Sequence, residues 1–249
     1  MIYFVGAGSG APDLITVRGA NLIKKADVIV YAGSLVNPEI LNDRKDTCQI
    51  YNSAKMTLEE VMQVMIPAER AGKLVVRLHT GDPCVYGAHR EQMDWLDKEG
   101  IKYEICPGVS SFCGAAAALK AEYTLPDVSQ TVILTRMEGR TPVPPKEKIE
   151  LLASHNATMV IFLSAGRLEE LSKRLIEGGY SKDTPAAIVY KATWPDEKVI
   201  YTTVSKLAQD GQAITKTALI TVGNFLGNEY NRSKLYDPAF TTEFREASL

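Results

Sequence analysis

The stretch VGAGSGAPDLITVRG, residues 5–19, follows the apolar run MIYF at the start of the chain. Its order of apolar residues, glycines and amphipathic sequence predicts a β-strand, a glycine-rich loop and a helix, the unit from which α/β sheets are built. Gly6 and Gly8 permit backbone conformations that other residues disfavour, and a turn that merely needs glycine is one explanation of them. The other is a loop that receives a ligand at the carboxyl end of its strand.

A dinucleotide is the first ligand to consider, because Gly6 to Ala11 fits the pattern G-x-G-x-x-[GA]. That fingerprint also requires an acidic residue at the end of the second strand, where it holds a ribose hydroxyl. In the predicted second strand, DVIVYAGSL at residues 27–35, the acid Asp27 stands at the beginning instead. Pro12 and Asp13 also interrupt the position where the helix of a dinucleotide fold begins. These features predict a broad loop and disfavour a nicotinamide oxidoreductase.

Composition and charge limit the class of protein. The 249 residues are 45% hydrophobic and 23% charged, as in ordinary globular proteins of one large or two modest domains. The net charge of -2 gives no global basic field, so we expect no nucleic-acid partner. The longest apolar stretches are far shorter than the roughly 20 residues of a membrane helix. The first residues read as a strand rather than a signal peptide, and we therefore expect a cytoplasmic protein with no membrane partner.

The cysteines and histidines show no pattern typical of a metal site. The four cysteines form no C-x-x-C pair, and the three histidines have no clustered spacing. We therefore expect no metal bound by the polypeptide, and each cysteine is interpreted as a small, reduced hydrophobic residue.

Apolar runs alternate with amphipathic helical patterns in the first half of the chain, which predicts a mostly parallel sheet covered by helices. In the second half, two strands joined across WPDE, residues 194–197, indicate a hairpin and hence a mixed sheet. We predict an α/β fold of two α/β domains, residues 1–120 and 121–249, the second with a distinctive C-terminal tail and the ligand cleft between them. The proline-rich segment MEGRTPVPPKEK, residues 137–148, is predicted to be irregular and to lie between the domains or beside a site.

Two further turns follow predicted strands. HTGDPCVYG, residues 79–87, combines a glycine, a carboxylate and a proline directly after the strand KLVVRL. CPGVSSFCGAAAAL, residues 106–119, turns the chain and offers serines at the start of a helix. Taken alone, the first is an ordinary turn and the second a helix cap. Three such turns at strand ends of one sheet predict a binding site, because ligands of open α/β sheets bind at that edge.

The trio VGAGSGAPDLIT, HTGDPCVYG and CPGVSS, in this order and spacing, resembles the tetrapyrrole methylases, which are S-adenosylmethionine-dependent methyltransferases of two α/β domains. The resemblance spans nearly the whole chain, and its departure is Ser9, where the family usually has proline. Within the family, ILTRMEGRTPVP at residues 133–144 and the tail YNRSKLYDPAFTTEFR at 230–245 resemble the branch that methylates carbon 11 of precorrin-4 in cobalamin biosynthesis. The resemblance also implies a homodimer, and the tail is interpreted as serving either substrate binding or dimerisation.

The resemblance implies a binding site for the methyl donor S-adenosylmethionine and its product S-adenosylhomocysteine. Matching motifs assign to it residues of the three loops and of the second domain's strands: Ser9, Gly81, Asp82, Val85, Ser110, Ser111, Leu163, Ala187, Tyr190, Thr217 and Ala218. For the strand residues, buried packing in a sheet is the alternative interpretation. No catalytic residue is assigned, because the electron-rich carbon of the substrate can itself be the nucleophile. Asp82 is one conceivable acceptor of a proton, although a role in donor binding or in the turn is the preferred interpretation.

Tetrapyrrole precursors of this kind carry several carboxylates, so the substrate site should contain arginine or lysine. The candidates are Arg136 and Arg140, followed by Arg18 and Arg90. A solvated surface charge is the alternative interpretation of each. The sequence does not distinguish a substrate that carries cobalt from one that does not, because the macrocycle itself would hold the metal.

Two other functions remain as alternatives. A sibling methylase would modify another precorrin or tetrapyrrole, and a noncatalytic nucleotide- or tetrapyrrole-binding protein would bind its ligand without turnover. The lack of a strongly basic charge balance argues against the RNA-modifying branch of the family.

Overall fold

A computed structural model describes residues 1–248 of the chain, which form two compact units. The first unit consists of Met1–Ala115 and Lys191–Glu197, and the second of Ala116–Tyr190 and the chain from Lys198 onward. Among the described residues, every helix falls short of the length and apolarity needed to cross a membrane.

The first unit contains a five-stranded sheet in which every pairing is parallel. Its strands, in chain order, are β1 (Ile2–Gly6), β2 (Val28–Tyr31), β3 (Gln49–Asn52), β4 (Val75–His79) and β5 (Tyr103–Cys106). In space the order is β3-β2-β4-β1-β5, which places β1 between β4 and β5. The predicted parallel sheet is therefore confirmed.

Helices alternate with these strands as the sequence pattern predicts. They are α1 (Val17–Lys25), α2 (Leu58–Arg70), α3 (Arg90–Lys98) and α4 (Ser111–Leu119). Gly72 and Gly100 follow α2 and α3 with φ of +76° and +65°, the left-handed conformation that commonly ends helices. Strand β3 carries no clear signal in the sequence, because QIYN is only four residues long and none of them is fully buried.

The core of the first unit lies on both faces of its sheet. The central strands β1 and β4 are almost entirely buried, and their side chains alternate between two apolar clusters. Val5 and Leu78 belong to one cluster, and Phe4 and Val75 to the other. Strands buried on both faces read as continuous apolar runs, which is why these segments were recognisable in the sequence.

The second unit contains a five-stranded mixed sheet in the order β6-β7-β10-β8-β9. The strands are β6 (Val132–Arg136), β7 (Thr158–Phe162), β8 (Pro185–Tyr190), β9 (Lys198–Thr203) and β10 (Ala218–Val222), with helices α5 (Ile149–Ala153), α6 (Leu168–Glu177) and α7 (Leu207–Asp210). Only β6 and β7 pair in parallel. The antiparallel pair β8–β9 is the predicted hairpin, and the mixed sheet is confirmed.

Two connections between secondary-structure elements bear on how the chain is divided into units. The segment 137–148 joins β6 to α5 inside the second unit and not between the two units. It is irregular, as predicted, apart from a 3-10 turn at Pro145–Glu147. The connection between β8 and β9 leaves the second unit, because its residues Lys191–Glu197 pack as part of the first.

Candidate functional site

The three special turns of the first unit follow three adjacent strands. The order β4-β1-β5 means that the loops after Gly6, His79 and Cys106 leave the same edge of the sheet side by side. In a parallel sheet all carboxyl ends meet at one edge, which is where ligands of such sheets bind. The strand order thus places the three motifs at one edge of the sheet.

Glycines in these loops are required by backbone contact between the loops. Gly8 and Gly81 form a bridge in which the Gly8 amide donates to the Gly81 carbonyl at 3.2 Å and the Gly81 amide donates back at 2.9 Å. A Cβ atom on Gly6 would stand 2.6 Å from the Gly81 oxygen, and one on Gly108 only 2.3 Å from it. Neither distance is compatible with a side chain, so the first, second and third loops form a continuous backbone surface.

Asp82 joins the second loop to the third. One carboxylate oxygen accepts the amide of Cys84 at 2.8 Å, and the other accepts the amide of Gly108 at 2.7 Å. Burial raises the pKa of Asp82, but the hydrogen bonds from Cys84 and Gly108 outweigh it and hold the pKa below its ordinary value of 3.8. Asp82 is therefore an ionised carboxylate whose oxygens are committed to the loop backbone.

The serines assigned to the site lie in the first and third loops. Ser9 is 6% exposed, and its hydroxyl forms a hydrogen bond with Thr193 at 3.1 Å. Ser110 is also buried, and Ser111 opens α4 beside Gly81, whose Cβ would lie 3.2 Å from the Ser111 nitrogen. The structure thus brings these residues together around the three loops. The remaining candidate of the second loop, Val85, is half-buried in the same turn.

The first loop does not form a phosphate cradle. Residues Pro12–Leu14 make a 3-10 turn after the glycines, and α1 begins only at Val17. Thr16 caps that helix by accepting the amide of Gly19 at 3.1 Å, so the helix start is already occupied by a protein group. The predicted broad loop is confirmed, and the pyrophosphate geometry of a dinucleotide site is missing from it.

Strand β4 carries two buried titratable residues beneath this edge. His79 is 3% exposed, and burial, reinforced by the positive charge of Arg77, lowers the pKa of His79 to about 3. Its Nε2 has no hydrogen-bond partner among the described residues. Arg77 donates to Gln92 at 3.1 Å and to the carbonyl of Val30 at 3.2 Å. Burial alone lowers the pKa of Arg77 to about 10, so it remains charged at neutral pH.

In the second unit, candidate residues also meet at one sheet edge. Ile161 of β7 faces Ile220 of β10 in an antiparallel pairing. Leu163 directly follows β7, and Ala218 is the first residue of β10, so both lie toward the same end of this antiparallel pair. Ala218 faces Tyr190 at the end of β8. Leu163, Ala218 and Tyr190 therefore lie at the limits of three neighbouring strands.

The remaining candidates of this unit lie around the same edge. Arg136 ends β6, which runs parallel to β7, and Thr217 directly precedes β10. Ala187 lies three residues inside β8 and is fully buried. Leu163 and Thr217 adopt the left-handed conformation with φ of +52° and +56°, although neither is glycine. Such strained residues cluster at functional sites, and Leu163 is in addition 66% exposed.

The arginines predicted to bind substrate have unequal surroundings. Arg136 donates to the carbonyls of Thr141 at 3.3 Å and Pro142 at 2.7 Å, so its guanidinium organises the loop that it begins. Arg140 is exposed on that loop. Arg18 is exposed on α1, and Arg90 is exposed on α3, where its Nε pairs with Asp94 at 2.7 Å.

The same loop is tied to α6 by charged contacts that the sequence analysis did not identify. Arg174 forms an ion pair with the carboxylate of Glu138, and Arg167 donates to the backbone carbonyl of Glu138. The hydrogen bond from Arg174 lowers the pKa of Glu138, and Arg174 also donates to Glu170 at 2.6 Å. The loop that carries the candidate arginines is thus anchored at its beginning.

Three residues beside the first loop were missed. Thr193 and Trp194, at the tip of the β8–β9 connection, and Asn37, after β2, all contact residues of this loop. The sequence carried no signal for them, because the connection read only as a hairpin turn and the contacts join residues far apart in the chain. Within residues 1–248, no group of three or more His, Cys, Asp and Glu residues is arranged to hold a metal ion.

Comparison with known proteins shows that residues 1–208 match the family described as tetrapyrrole (corrin/porphyrin) methylases. Three known proteins are also similar to the chain. A cobalt-precorrin-4 C(11)-methyltransferase of Methanocaldococcus jannaschii is 54% identical over 249 residues, 99% of this chain and 96% of the relative. A precorrin-4 C(11)-methyltransferase of Mycobacterium tuberculosis is 43% identical over 242 residues, 96% of each chain. The X-ray structure of a cobalamin biosynthetic enzyme, cobalt precorrin-4 methyltransferase, is 50% identical, with a TM-score of 0.88 over 90% of this chain and 95% of that one.

Proposed function

Since the chain belongs to the tetrapyrrole methylase family, we propose that it transfers a methyl group from S-adenosylmethionine to carbon 11 of precorrin-4 or cobalt-precorrin-4 in cobalamin biosynthesis. The observation that carries this proposal is the 54% identity to a relative of that name over 99% of the chain, which includes the distinctive tail. The higher identity to the cobalt-named relative than to the other, 54% against 43%, favours the cobalt-containing substrate.

The edge of the first unit fits the donor. S-adenosylmethionine has no phosphate, and the first loop offers no helix start to hold one. It does have ribose hydroxyls, an adenine and an amino-acid group, which need hydrogen-bonding partners. The continuous backbone of the loops at Gly8, Gly81 and Gly108 presents peptide groups without side chains in the way. We assign donor binding to these loops, with Ser9, Gly81, Asp82, Val85, Ser110 and Ser111.

The edge of the second unit supplies groups of another kind. Leu163 offers an exposed apolar side chain in a strained conformation just after β7, and Ala218 pairs with Tyr190 on the neighbouring strands β10 and β8. Apolar contact of this kind suits an adenine ring or the methyl-bearing end of the donor. We assign Leu163, Ala187, Tyr190, Thr217 and Ala218 to the same ligand.

The chain's own residues act in the reaction by binding and orientation. When bound, S-adenosylmethionine supplies an electrophilic methyl group on a positively charged sulfur. The nucleophile is a carbon of the substrate, so the protein's task is to hold the reactants aligned and to exclude water, which together contribute several kcal/mol. Asp82 is a poor general base, because its pKa lies below 3.8 and both oxygens already accept amide hydrogens. We propose that it fixes the geometry of the second and third loops.

Binding of the polycarboxylate substrate is assigned to arginines of the second unit. Arg140 is exposed and forms no hydrogen bond or ion pair within residues 1–248, whereas Arg136 already holds the carbonyls of Thr141 and Pro142. We therefore propose Arg140 as a direct partner of a substrate carboxylate and Arg136 as the residue that shapes the loop presenting it. Arg18 and Arg90 are proposed as outer contacts.

We further propose a cytoplasmic homodimer. All four cysteines of the chain are free, as is typical of a reducing compartment. The tail exposes large apolar side chains, among them Tyr236 at 73% and Phe244 at 92%, which a second copy would cover. Sedimentation of the full chain would give the mass of a dimer, and cell fractionation would recover the enzyme with cytoplasmic markers.

The donor site is tested by calorimetric titration with S-adenosylhomocysteine and, separately, NADH. We expect saturable binding of the first ligand alone. Asp82→Ala should weaken it by more than about tenfold, because the amides of Cys84 and Gly108 lose the ionised acceptor that joins the second and third loops. The matched control is Asp43→Ala, which removes an exposed carboxylate paired with Lys24 at 3.3 Å and should bind normally. Binding of NADH alone would contradict the proposal.

The substrate is tested by product analysis. The enzyme, S-adenosylmethionine carrying a labelled methyl group, and precorrin-4 with or without cobalt should give one product labelled at carbon 11. A label at another position, or turnover only of a different precorrin, would identify a sibling methylase. Binding of S-adenosylhomocysteine with no methyl transfer to any of these substrates would favour a noncatalytic binding protein.

A further inference from the structure

The tip of the β8–β9 connection, Lys191–Glu197, is organised by its own side chains. The Thr193 amide donates to the Glu197 carboxylate at 2.6 Å, and Lys191 forms an ion pair with Asp196 at 2.6 Å. Lys191 and Thr193 hold left-handed backbone conformations, with φ of +47° and +68°. Residues other than glycine keep a left-handed backbone conformation only where several surrounding contacts hold them in it. The connection is therefore a fixed structure that presents the Thr193 side chain in one direction.

The Thr193 hydroxyl bridges two residues of the first glycine-rich loop. Its oxygen accepts the Ala11 amide at 3.0 Å and shares a hydrogen bond with the Ser9 hydroxyl at 3.1 Å. A hydroxyl has one hydrogen and two lone pairs, so both bonds form at the same time. Because Ser9 is buried, no water replaces this partner if the hydroxyl is removed. Thr193 thus fixes the loop on either side of Gly10.

Gly10 itself is enclosed by the same connection. A Cβ atom on Gly10 would lie 2.2 Å from Cδ1 of Trp194 and 2.6 Å from the carbonyl oxygen of Ala192. On the other side, the side-chain Nδ2 of Asn37 donates to the Gly10 carbonyl at 3.1 Å. The loop from Ser9 to Ala11 is therefore clamped between the tip of the connection and the residue that follows β2.

We infer that Thr193 is a positioning residue for donor binding, acting through its hydroxyl on the loop Ser9–Ala11. The inference rests on the proposed donor site. Gly8, directly before the clamped residues, is bridged to Gly81, so a displacement of Ser9 would be passed to the second loop. Thr193 has no place among the residues that the sequence resemblance assigned to the ligand. Its effect is on the preorganisation of the backbone that binds the donor.

The test compares variants that keep or lose the hydroxyl. Thr193→Val should raise the Kd for S-adenosylhomocysteine about tenfold, the worth of one to two buried hydrogen bonds, whereas Thr193→Ser should stay within about twofold of the wild type. In turnover, Thr193→Val should raise KM for S-adenosylmethionine and leave KM for the tetrapyrrole unchanged. Thr203→Val is the matched control, because it removes a hydroxyl of β9 in the same hairpin. Among the described residues, that hydroxyl forms a hydrogen bond only with Ser205, at 3.2 Å.

A double-variant cycle and hydrogen exchange separate positioning from a general loss of stability. Ser9→Ala combined with Thr193→Val should lose less affinity than the sum of the two single losses, because the two variants share the Ser9–Thr193 hydrogen bond. The Ala11 amide should exchange faster in Thr193→Val and at the wild-type rate in Thr203→Val.

The outcomes that overturn the inference are distinct. Normal affinity of Thr193→Val, equal losses in the serine and valine variants, or faster Ala11 exchange with unchanged affinity would each show that Thr193 does not set donor binding. Failure of the wild-type enzyme to bind S-adenosylhomocysteine would instead overturn the proposed function, and this inference with it.

Discussion

The two sheets of this protein each gather candidate residues at one edge, but they do so differently. In the first unit every strand is parallel, so β4, β1 and β5 all end at the same edge and each is followed by a loop. In the second unit only β6 and β7 are parallel, and the edge collects strand ends together with the beginning of β10. A parallel edge is made of neighbouring loops, whereas a mixed edge is made of residues at the limits of the strands.

This difference decides which atoms form each edge. Loops that leave adjacent parallel strands touch one another through their backbones, and Gly6, Gly81 and Gly108 are close-packed for this reason. The second edge has no such contact between glycines, and its unusual positions are Leu163 and Thr217, which carry side chains in a conformation typical of glycine. We infer that the first edge tolerates no added side chain because its backbones are close-packed. At the second edge, in contrast, the side chains themselves form the surface.

The largest expected effect follows from adding one methyl group to the first edge. In Gly108→Ala the new Cβ would lie 2.3 Å from the Gly81 oxygen and 2.8 Å from the Gly6 Cα, so the loops must separate. We expect a loss of about 3 kcal/mol in the free energy of unfolding. Binding of S-adenosylhomocysteine should disappear. Urea unfolding and calorimetry measure the two quantities.

The control for this variant lies in the second unit. Gly139→Ala places its Cβ 3.7 Å from the nearest atom, a guanidinium nitrogen of Arg167 at the end of a flexible side chain. We expect a change within about 0.5 kcal/mol, as for ordinary surface substitutions. If Gly108→Ala unfolds and binds like this control, the close packing of loop backbones does not distinguish the first edge from the second.

The same contrast explains what the sequence could predict. Strands, helices and the three turns were recognisable because runs of Val, Ile and Leu, helical periodicity and Gly-Pro turns are local signals. The order β4-β1-β5 was not, because the pairing of β1 with later strands depends on packing between distant segments. The motifs still indicated the site edge, since parallel strands bring all their carboxyl ends together whatever their order.

Other features of the site have no local signal. Thr193 bonds Ser9 and Ala11 across 184 and 182 positions of the chain, and only a threonine in a turn is visible in the sequence. Likewise, the burial of His79 at the end of β4 and the engagement of Arg136 with its own loop depend on the packed structure. The candidates at the second edge came from the family resemblance, because their sequence pattern alone predicts the core of a sheet.

An intermediate change in the free energy of unfolding is expected from pH, and we attribute it to His79 in the first unit. The folded pKa of His79 is about 3, below its ordinary 6.5, so folding excludes the proton that the unfolded chain binds. This contribution to stability is fully present above pH 6.5 and is lost as pH falls toward 3. Between pH 7 and pH 5 we expect a loss of about 2 kcal/mol in the free energy of unfolding. Urea titrations at both pH values measure it.

Two variants isolate the histidine responsible. His79→Gln should flatten the dependence between pH 7 and pH 5, whatever its own stability at neutral pH. His155→Gln, which changes an exposed histidine of the second unit, should keep the full dependence. A wild-type slope that survives in His79→Gln would assign the titration to other groups and remove this difference between the units.

The smallest change in stability is expected at the second edge. There, a variant that changes binding but not stability separates a residue that serves the ligand from one that serves the fold. Leu163→Gly relieves a left-handed conformation at φ +52° and removes a side chain that is 66% exposed. Relief of strain and the greater freedom of glycine when unfolded oppose each other, so the free energy of unfolding should change by less than about 1 kcal/mol.

Binding should nevertheless respond to this variant. We expect the affinity for S-adenosylhomocysteine to fall roughly fivefold, equivalent to about 1 kcal/mol of lost apolar contact. Asn156→Gly is the matched control, because Asn156 is also left-handed at φ +47° and exposed, yet it follows α5 rather than β7. It should leave affinity unchanged. If both variants bind alike, the exposed leucine does not serve the ligand; if Leu163→Gly loses more than about 2 kcal/mol of stability, its side chain serves the fold, since strain relief alone predicts no such loss.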